Sequence, residues 1–287
     1  MSDRVRNVSL ARGFGGESMR LLASLALVLL LAVSPGARAE TAPRGAAATT
    51  PDPRALAEAQ RFIELGGGER AFVAAATSAF RAAAASRGVD LTGEQWTRVR
   101  RVLEAHFVDA AHAFTAEMVQ FYATHYRLDD MTAANTYYDT PEGRRYVAAA
   151  MDLAMPLVGH LVSGGRLALP ELREAALLPS DRYEAAQRLA RLMVGRLSEV
   201  QILQLQRLGY GADEQIDYYS RGLADALTLE ELEAAVAWAA SDSSQRLEGP
   251  SLEREQAIEV AALHVQGAID LEALRRDVQD AMQDHHT

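Results

Sequence analysis

The stretch Trp96-Thr-Arg-Val-Arg-Arg-Val-Leu-Glu-Ala-His106-Phe-Val-Asp-Ala-Ala-His112-Ala-Phe-Thr-Ala-Glu-Met-Val-Gln-Phe121 reads as one long amphipathic helix. At 100° per residue, measured from His106, the side chains of Val99, Leu103, Phe107, Ala110, Phe114, Met118 and Phe121 fall between 20° and 120°, and Trp96 joins them at 80°. Arg98, Arg101, Asp109, His112 and Gln120 lie on the other side. Each large side chain of such a stripe contributes ~1.5–3 kcal/mol when fully buried, so this helix needs a core to face. Thr92 and Gln95 have the spacing of a capping box, which predicts a helix from Gly93 to about His125.

Outward from this helix the pattern stays helical. Asp52-Pro53 supplies an N-cap and a first-turn proline for a helix through Leu65, stopped by Gly66-Gly67-Gly68. Arg70 to Ser86 is dense in alanine. Breaks at Pro141, Gly164-Gly165, Pro170, Pro179, Gly209 to Gly211 and Gly249-Pro250 divide the rest, and a last helix is expected from Ser251 to about Gln283. No run of alternating β-branched residues is long enough for a strand. The fold class is therefore all-α, a multi-helix bundle.

The chain also resembles itself at an offset of 101 residues. Residues 126–147 align with 227–248 through four identities, Leu128/Leu229, Ala133/Ala234, Ala134/Ala235 and Arg145/Arg246, and through similar pairs that include Asp130/Glu231, Met131/Leu232 and Tyr137/Trp238. The shared order is an aromatic helix, a Leu-acid-acid-apolar start, an aromatic, a break and a new helix. This predicts two weakly similar helical halves, 54–178 and 180–283. Asp129-Asp130 and Glu230-Glu231 complement the positive end of a helix dipole, and Thr228 with Glu231 makes a second capping box. After Tyr137-Tyr138, Thr140 caps, Pro141 occupies the first helical position and Gly143 permits close approach of the helices. In the second copy Ser241-Asp242-Ser243-Ser244 replaces Thr140 to Gly143, which predicts that the turn keeps its role only in the first half.

Phe121-Tyr122, Leu128-Asp129-Asp130-Met131 and Tyr137-Tyr138-Asp139-Thr140-Pro141-Glu142-Gly143-Arg144-Arg145 together resemble the secreted bacterial family called domain of unknown function 2059, over about 40 residues. The resemblance implies export and a helical body. It brings no activity and no catalytic residues.

Composition narrows the chemistry further. The chain has 287 residues with 54 Ala, no Cys and no Lys, so its 29 basic residues are all Arg, against 39 acids. Disulfides, thiolate nucleophiles and Cys-ligated metals are excluded, as are a Schiff base and a Walker-type phosphate loop. Leu21 to Val33 is a run of 13 apolar or small residues followed by Ser34-Pro35-Gly36 and Ala37-Arg38-Ala39. Such a run makes about 20 Å of helix, short of the ~30 Å hydrocarbon core. It reads as a secretory signal peptide, residues 1–39, with Met19 as an alternative start and Glu40 as the first mature residue. Residues 40–53, rich in Ala, Thr and Pro, read as a linker. Cleavage removes five Arg and two acids and leaves 24 basic against 37 acidic residues. That excess disfavours nucleic acid and anionic membrane surfaces, and stable membrane insertion is not expected after cleavage. The expected location is periplasmic or secreted.

The candidate metal ligands are His106, Asp109 and His112, whose residue types suit zinc, but they fan over 120° of one helix face where a helical chelate favours i, i+4. His160, followed by Ser163-Gly164-Gly165, reads as a helix stop; His264 reads as a packing residue and His285-His286 as tail. No Gly-x-Ser-x-Gly elbow is present. No metal, cofactor or catalytic residue is therefore assigned, and Tyr137, Tyr138, Thr140, Pro141 and Gly143 are taken as a structural motif. The last expected helix carries two opposed stripes, Ile258, Ala262, Val265 and Ile269 on one side and Val260, Leu263, Leu271, Leu274 and Val278 on the other. Either it is sandwiched in its own bundle, or Leu263, Leu271, Leu274 and Val278 join two chains in a homodimer. A non-catalytic exported module that binds an envelope protein or ligand is the first functional reading. An envelope hydrolase whose site is assembled only by the fold is the alternative.

Overall fold

The computed structural model describes residues 51–197, 202, 205–206, 209–249 and 251–283; the expected signal peptide, most of the expected linker and His285-His286 lie outside these residues. Among the described residues the chain is helical, with no strand. The helices delimited are α1 (Pro53–Leu65), α2 (Gly68–Ser86), α3 (Gly93–His125), α4 (Leu128–Tyr138), α5 (Pro141–Val162), α6 (Ser180–Val194), α7 (Ala212–Ala226), α8 (Leu229–Ala239), α9 (Asp242–Glu248), α10 (Leu252–Ala268) and α11 (Leu271–Gln283). None is long and apolar enough to cross a membrane.

Helix α3 is the axis of the bundle, packed by α1, α2, α10 and α11. Its expected stripe is buried at Val99, Leu103, Phe107, Ala110, Phe114 and Met118, and the contact widens to Ala111, Thr115, Val119 and Tyr122 because neighbours cover it on several sides. Trp96 and Phe121, at its two ends, are only half-buried, and Trp96 lies under the Arg81 guanidinium, 5.2 Å from the ring centroid. Thr92 does stand at the N-cap, but its side chain makes no cap bond. Gly93 takes φ +55°, so the chain enters the helix through a left-handed residue.

Two stretches of the chain share local geometry at the same offset of 101. Helices α4 and α8 begin at Leu128 and Leu229 and end at Tyr138 and Ala239, and α5 and α9 begin at Pro141 and Asp242. Tyr126 (φ −114°, ψ 155°) matches Leu227 (φ −117°, ψ 150°), and Asp139 (φ −82°, ψ −10°) matches Ala240 (φ −79°, ψ −9°). A further correspondence holds at a different offset. Helix α1 packs on α3 and α4, and α6 packs on α7 and α8 in the same way. Both helices carry Ala-Gln-Arg followed by a buried apolar residue, at Ala59-Gln60-Arg61-Phe62 and Ala186-Gln187-Arg188-Leu189, an offset of 127. The offset differs from 101 because α2 intervenes after α1 and because α3, with 33 residues, is longer than α7, with 15.

Two expectations change. Thr140 caps as expected, its Oγ1 accepting from Gly143 N at 3.0 Å, but Ser241 Oγ likewise accepts from Ser244 N at 3.2 Å. The turn therefore survives in the second half without Pro or Gly, because the capping oxygen is what it needs. The expected single last helix is two helices. The chain breaks at Ile269-Asp270, where the Asp270 carboxylate accepts from the backbone N–H groups of Glu272 and Ala273 at 3.1 and 2.9 Å. The break re-aims α11, so Leu274 and Val278 are buried in the chain's own core while Leu263 and Leu271 are exposed. The four residues thus do not form one dimer stripe.

The second capping box is complete: Thr228 Oγ1 accepts from Glu231 N at 3.2 Å, and Glu231 Oε2 accepts from Thr228 N at 2.8 Å. Thr228→Ala is expected to cost about 1 kcal/mol, read as a lower denaturant midpoint with an unchanged slope.

Candidate functional site

The three candidate metal ligands, to which no metal was assigned, go to different partners. His106 Nε2 meets Asp277 of α11 at 2.9 Å, His112 Nδ1 meets Glu69 of α2 at 2.9 Å, and Asp109 is exposed. A third pair, His264 of α10 with Glu117 at 2.8 Å, completes a set in which three carboxylate–imidazole contacts tie α2, α10 and α11 to α3. His106 holds the Asp277 carboxyl below its usual range. Among the described residues no three His, Asp or Glu side chains converge as metal ligands would. Ser163 and His160 make a helix stop: Ser163 Oγ donates to His160 O at 2.9 Å and accepts from Leu167 N at 2.9 Å, while His160 Nδ1 lies 2.7 Å from Leu167 O. The hydroxyl and the imidazole are not paired as nucleophile and base.

What sequence reasoning did not find is a buried carboxylate beside a cavity. The cavity, of about 100 Å³, lies among α1 to α5, α9 and α10, and is walled by Phe62, Ala71, Phe114, Met118, Tyr122, Tyr138, Tyr146, Ala150, Ile258 and Glu248. Glu248, the last residue of α9, is 3% exposed. Its Oε1 accepts from the Tyr138 hydroxyl, and its Oε2 accepts from Ser244 Oγ at 2.9 Å and from Arg196 at 3.3 Å. Tyr138 is in turn fixed by Trp238, whose ring N–H donates to the phenol oxygen at 3.1 Å. Arg196, itself buried, also donates to the Ala239 carbonyl and to Ser244 Oγ, and the buried Arg254 donates to the Leu247 carbonyl at 2.9 Å.

Burial is the largest influence on the Glu248 carboxyl and pushes its pKa up, against Tyr138, Arg196, Ser244 and Arg254, which pull it down. Burial also pushes the Tyr122, Tyr138 and Tyr146 hydroxyls up, so all three stay protonated and able to donate. The cavity wall is thus apolar, with neutral phenols and one carboxyl whose donors nearly fill its acceptor capacity. In sequence Glu248 looks like any acid near a Gly-Pro break. The one signal is positional, since its counterpart 101 residues earlier is the apolar Val147, which lines the same cavity.

A second, wider depression of about 1040 Å³ runs between α2, α3 and α5. Its floor includes Val73, Thr77, Ala111, Met151 and Met155, and its rim mixes Arg70, Arg81, Arg100 and Arg144 with Glu64, Glu69, Glu104 and Asp152. Val147 and Met155 belong to both walls and stand between groove and cavity. Comparison with protein-family models, with curated proteins and with solved structures finds no match for this chain.

Proposed function

We propose that this is an exported, non-catalytic binding module of the cell envelope, whose cavity accepts the small apolar end of a ligand carrying a hydroxyl or amine. The apolar cavity with Glu248 on its wall carries the reading. A void of this kind lined by Leu, Ile and Phe can hold a benzene-sized molecule at about 150 Å³, so about 100 Å³ suits a smaller group. The carboxylate accepts three hydrogen bonds from the protein, which leaves roughly one acceptor position for a donor on the ligand. The rival hydrolase needs a nucleophile or an activated water beside a base, and the carboxylate–imidazole pairs are dispersed along α3 instead of meeting at the cavity.

The test is to purify the protein from the envelope of its own cells, where its amino-terminal sequence should begin at Glu40. Native mass spectrometry then reads any small molecule retained. An adduct that disappears in Ala150→Phe, a change that fills the cavity while leaving Glu248 in place, is the expected result. A bare mass for both forms would remove the ligand reading. Turnover on a panel of ester and amide substrates that Glu248→Gln abolishes would place the chain with the envelope hydrolases instead.

A further inference from the structure

The two turn motifs are more than alike: they hold each other. Asp130 of α4 is buried and accepts from Arg246 of α9, at 2.9 Å from Nε and 2.7 Å from a terminal nitrogen. The equivalents of these two residues, 101 positions away, are Glu231 and Arg145, and they also pair, at 3.3 Å. Each pair crosses between halves: the acid of copy one meets the arginine of copy two, and the acid of copy two meets the arginine of copy one. Between them the equivalent residues Tyr137 and Trp238 stack on each other, with ring centroids 5.4 Å apart and planes 17° from parallel. The helices follow the same rule, α4 packing on α9 and α8 on α5. Residue i against j together with j against i, and equivalent residues meeting each other, is the signature of an isologous interface around a twofold axis. A fold in which two unlike halves merely fit would have no reason to exchange its ion pairs reciprocally.

We infer that the turn motif is a self-recognition module, whose partner is a second copy of itself and whose two copies in this chain form a covalently joined, internally twofold pair. The recognising face of copy one is Asp130, Tyr137 and Arg145, and that of copy two is Glu231, Trp238 and Arg246. Because every one of these residues is complementary to its own equivalent set, copy one can pair with a copy one of another chain: Asp130 would meet Arg145, and Tyr137 would meet Tyr137. In the native chain copy two occupies that face first, since the linkage makes the encounter intramolecular.

The full-length mature protein tests this when copy two is displaced. Trp238→Asp/Arg246→Glu removes one ring of the stack and sets an acid against Asp130. Light scattering should then report a doubled mass at high concentration, and adding Arg145→Glu, which in the opened chain would face Asp130 of the second molecule, should return it to one chain. A monomer, a mass increase indifferent to Arg145→Glu, or loss of helical circular dichroism throughout the chain would each overturn the inference. A second measurement needs no opened chain. Across a twofold axis the stacked partners can trade places with volume conserved. Tyr137→Trp and Trp238→Tyr should each lower the melting temperature, and the double exchange should lose less than the sum of the two. Losses that simply add would mean that the two sites are not equivalent.

Discussion

Gly143→Leu is expected to lower stability by about 3 kcal/mol or more, seen as a melting temperature lower by roughly 6–12 °C or as failure to accumulate folded protein. A Cβ at this position would run into the Tyr137 carbonyl oxygen and sit 2.8 Å from Tyr138 Cα. Both obstacles are backbone atoms of the helix just ended, and neither can swing aside as a side-chain tip could. The geometry is forced from both directions. Thr140 donates its hydroxyl to Tyr137 O at 2.7 Å and accepts from Gly143 N at 3.0 Å, which draws the start of α5 onto the end of α4. Gly143→Ala already carries the offending Cβ, so most of the loss should appear there, whereas Thr140→Ala should cost only about 1 kcal/mol as an ordinary lost cap. A Gly143→Ala protein melting within a degree or two of the wild type would mean that the backbone at Tyr137 yields.

That turn also shows what could be read from the chain beforehand. Helical periodicity, proline positions and capping oxygens act within a few residues, so α3, the starts of α1 and α5, and the Thr228–Glu231 box were legible in the sequence. The break at Asp270 was not, because an aspartate in a long helical pattern is read equally well as a solvated side chain and as an N-cap. The choice is made by Leu274 and Val278, which reach the core only if α11 turns. The similarity at an offset of 101 can be counted in the sequence, but Asp130–Arg246 and Arg145–Glu231 are contacts between distant residues that no local pattern specifies. The second appearance of Ala-Gln-Arg, at 186–188, was hidden by the different spacing that α2 and the longer α3 impose. Glu248 lay furthest from reach. An isolated acid acquires meaning only when Tyr138 of α4 and Arg196, just after α6, are brought to it beside Ser244, one turn back on its own helix.

The same residue gives the other large expected effect. Glu248→Ala should cost about 3–5 kcal/mol, because it leaves the buried Arg196 guanidinium without its counter-charge and strips the Tyr138 hydroxyl of its acceptor. Glu248→Gln keeps the shape and one acceptor oxygen, and should cost less, about 1–3 kcal/mol. The pH dependence separates loss of charge from loss of shape. The folded pKa of Glu248 is raised above its ordinary value of 4.5, chiefly by burial, so folding favours the protonated form. The stability this contributes is fully present below the ordinary value and is lost as pH rises through the folded pKa. Wild type should therefore gain on Glu248→Gln as pH is lowered from 7 towards 5. Asp130 pulls the other way: burial raises its pKa, but Arg246 and Ser243 outweigh this and hold it lowered, so its contribution is lost only as pH falls below 3.8. The two windows do not overlap, and Asp130 is common to both proteins in the comparison. A difference in melting temperature between wild type and Glu248→Gln that stays flat from pH 7 to pH 5, or narrows in favour of the variant, would mean that Arg196 and Tyr138 overcome burial and hold Glu248 ionised. Glu248 and Arg196 would then stand as a buried ion pair, with the carboxylate charge already balanced by the guanidinium.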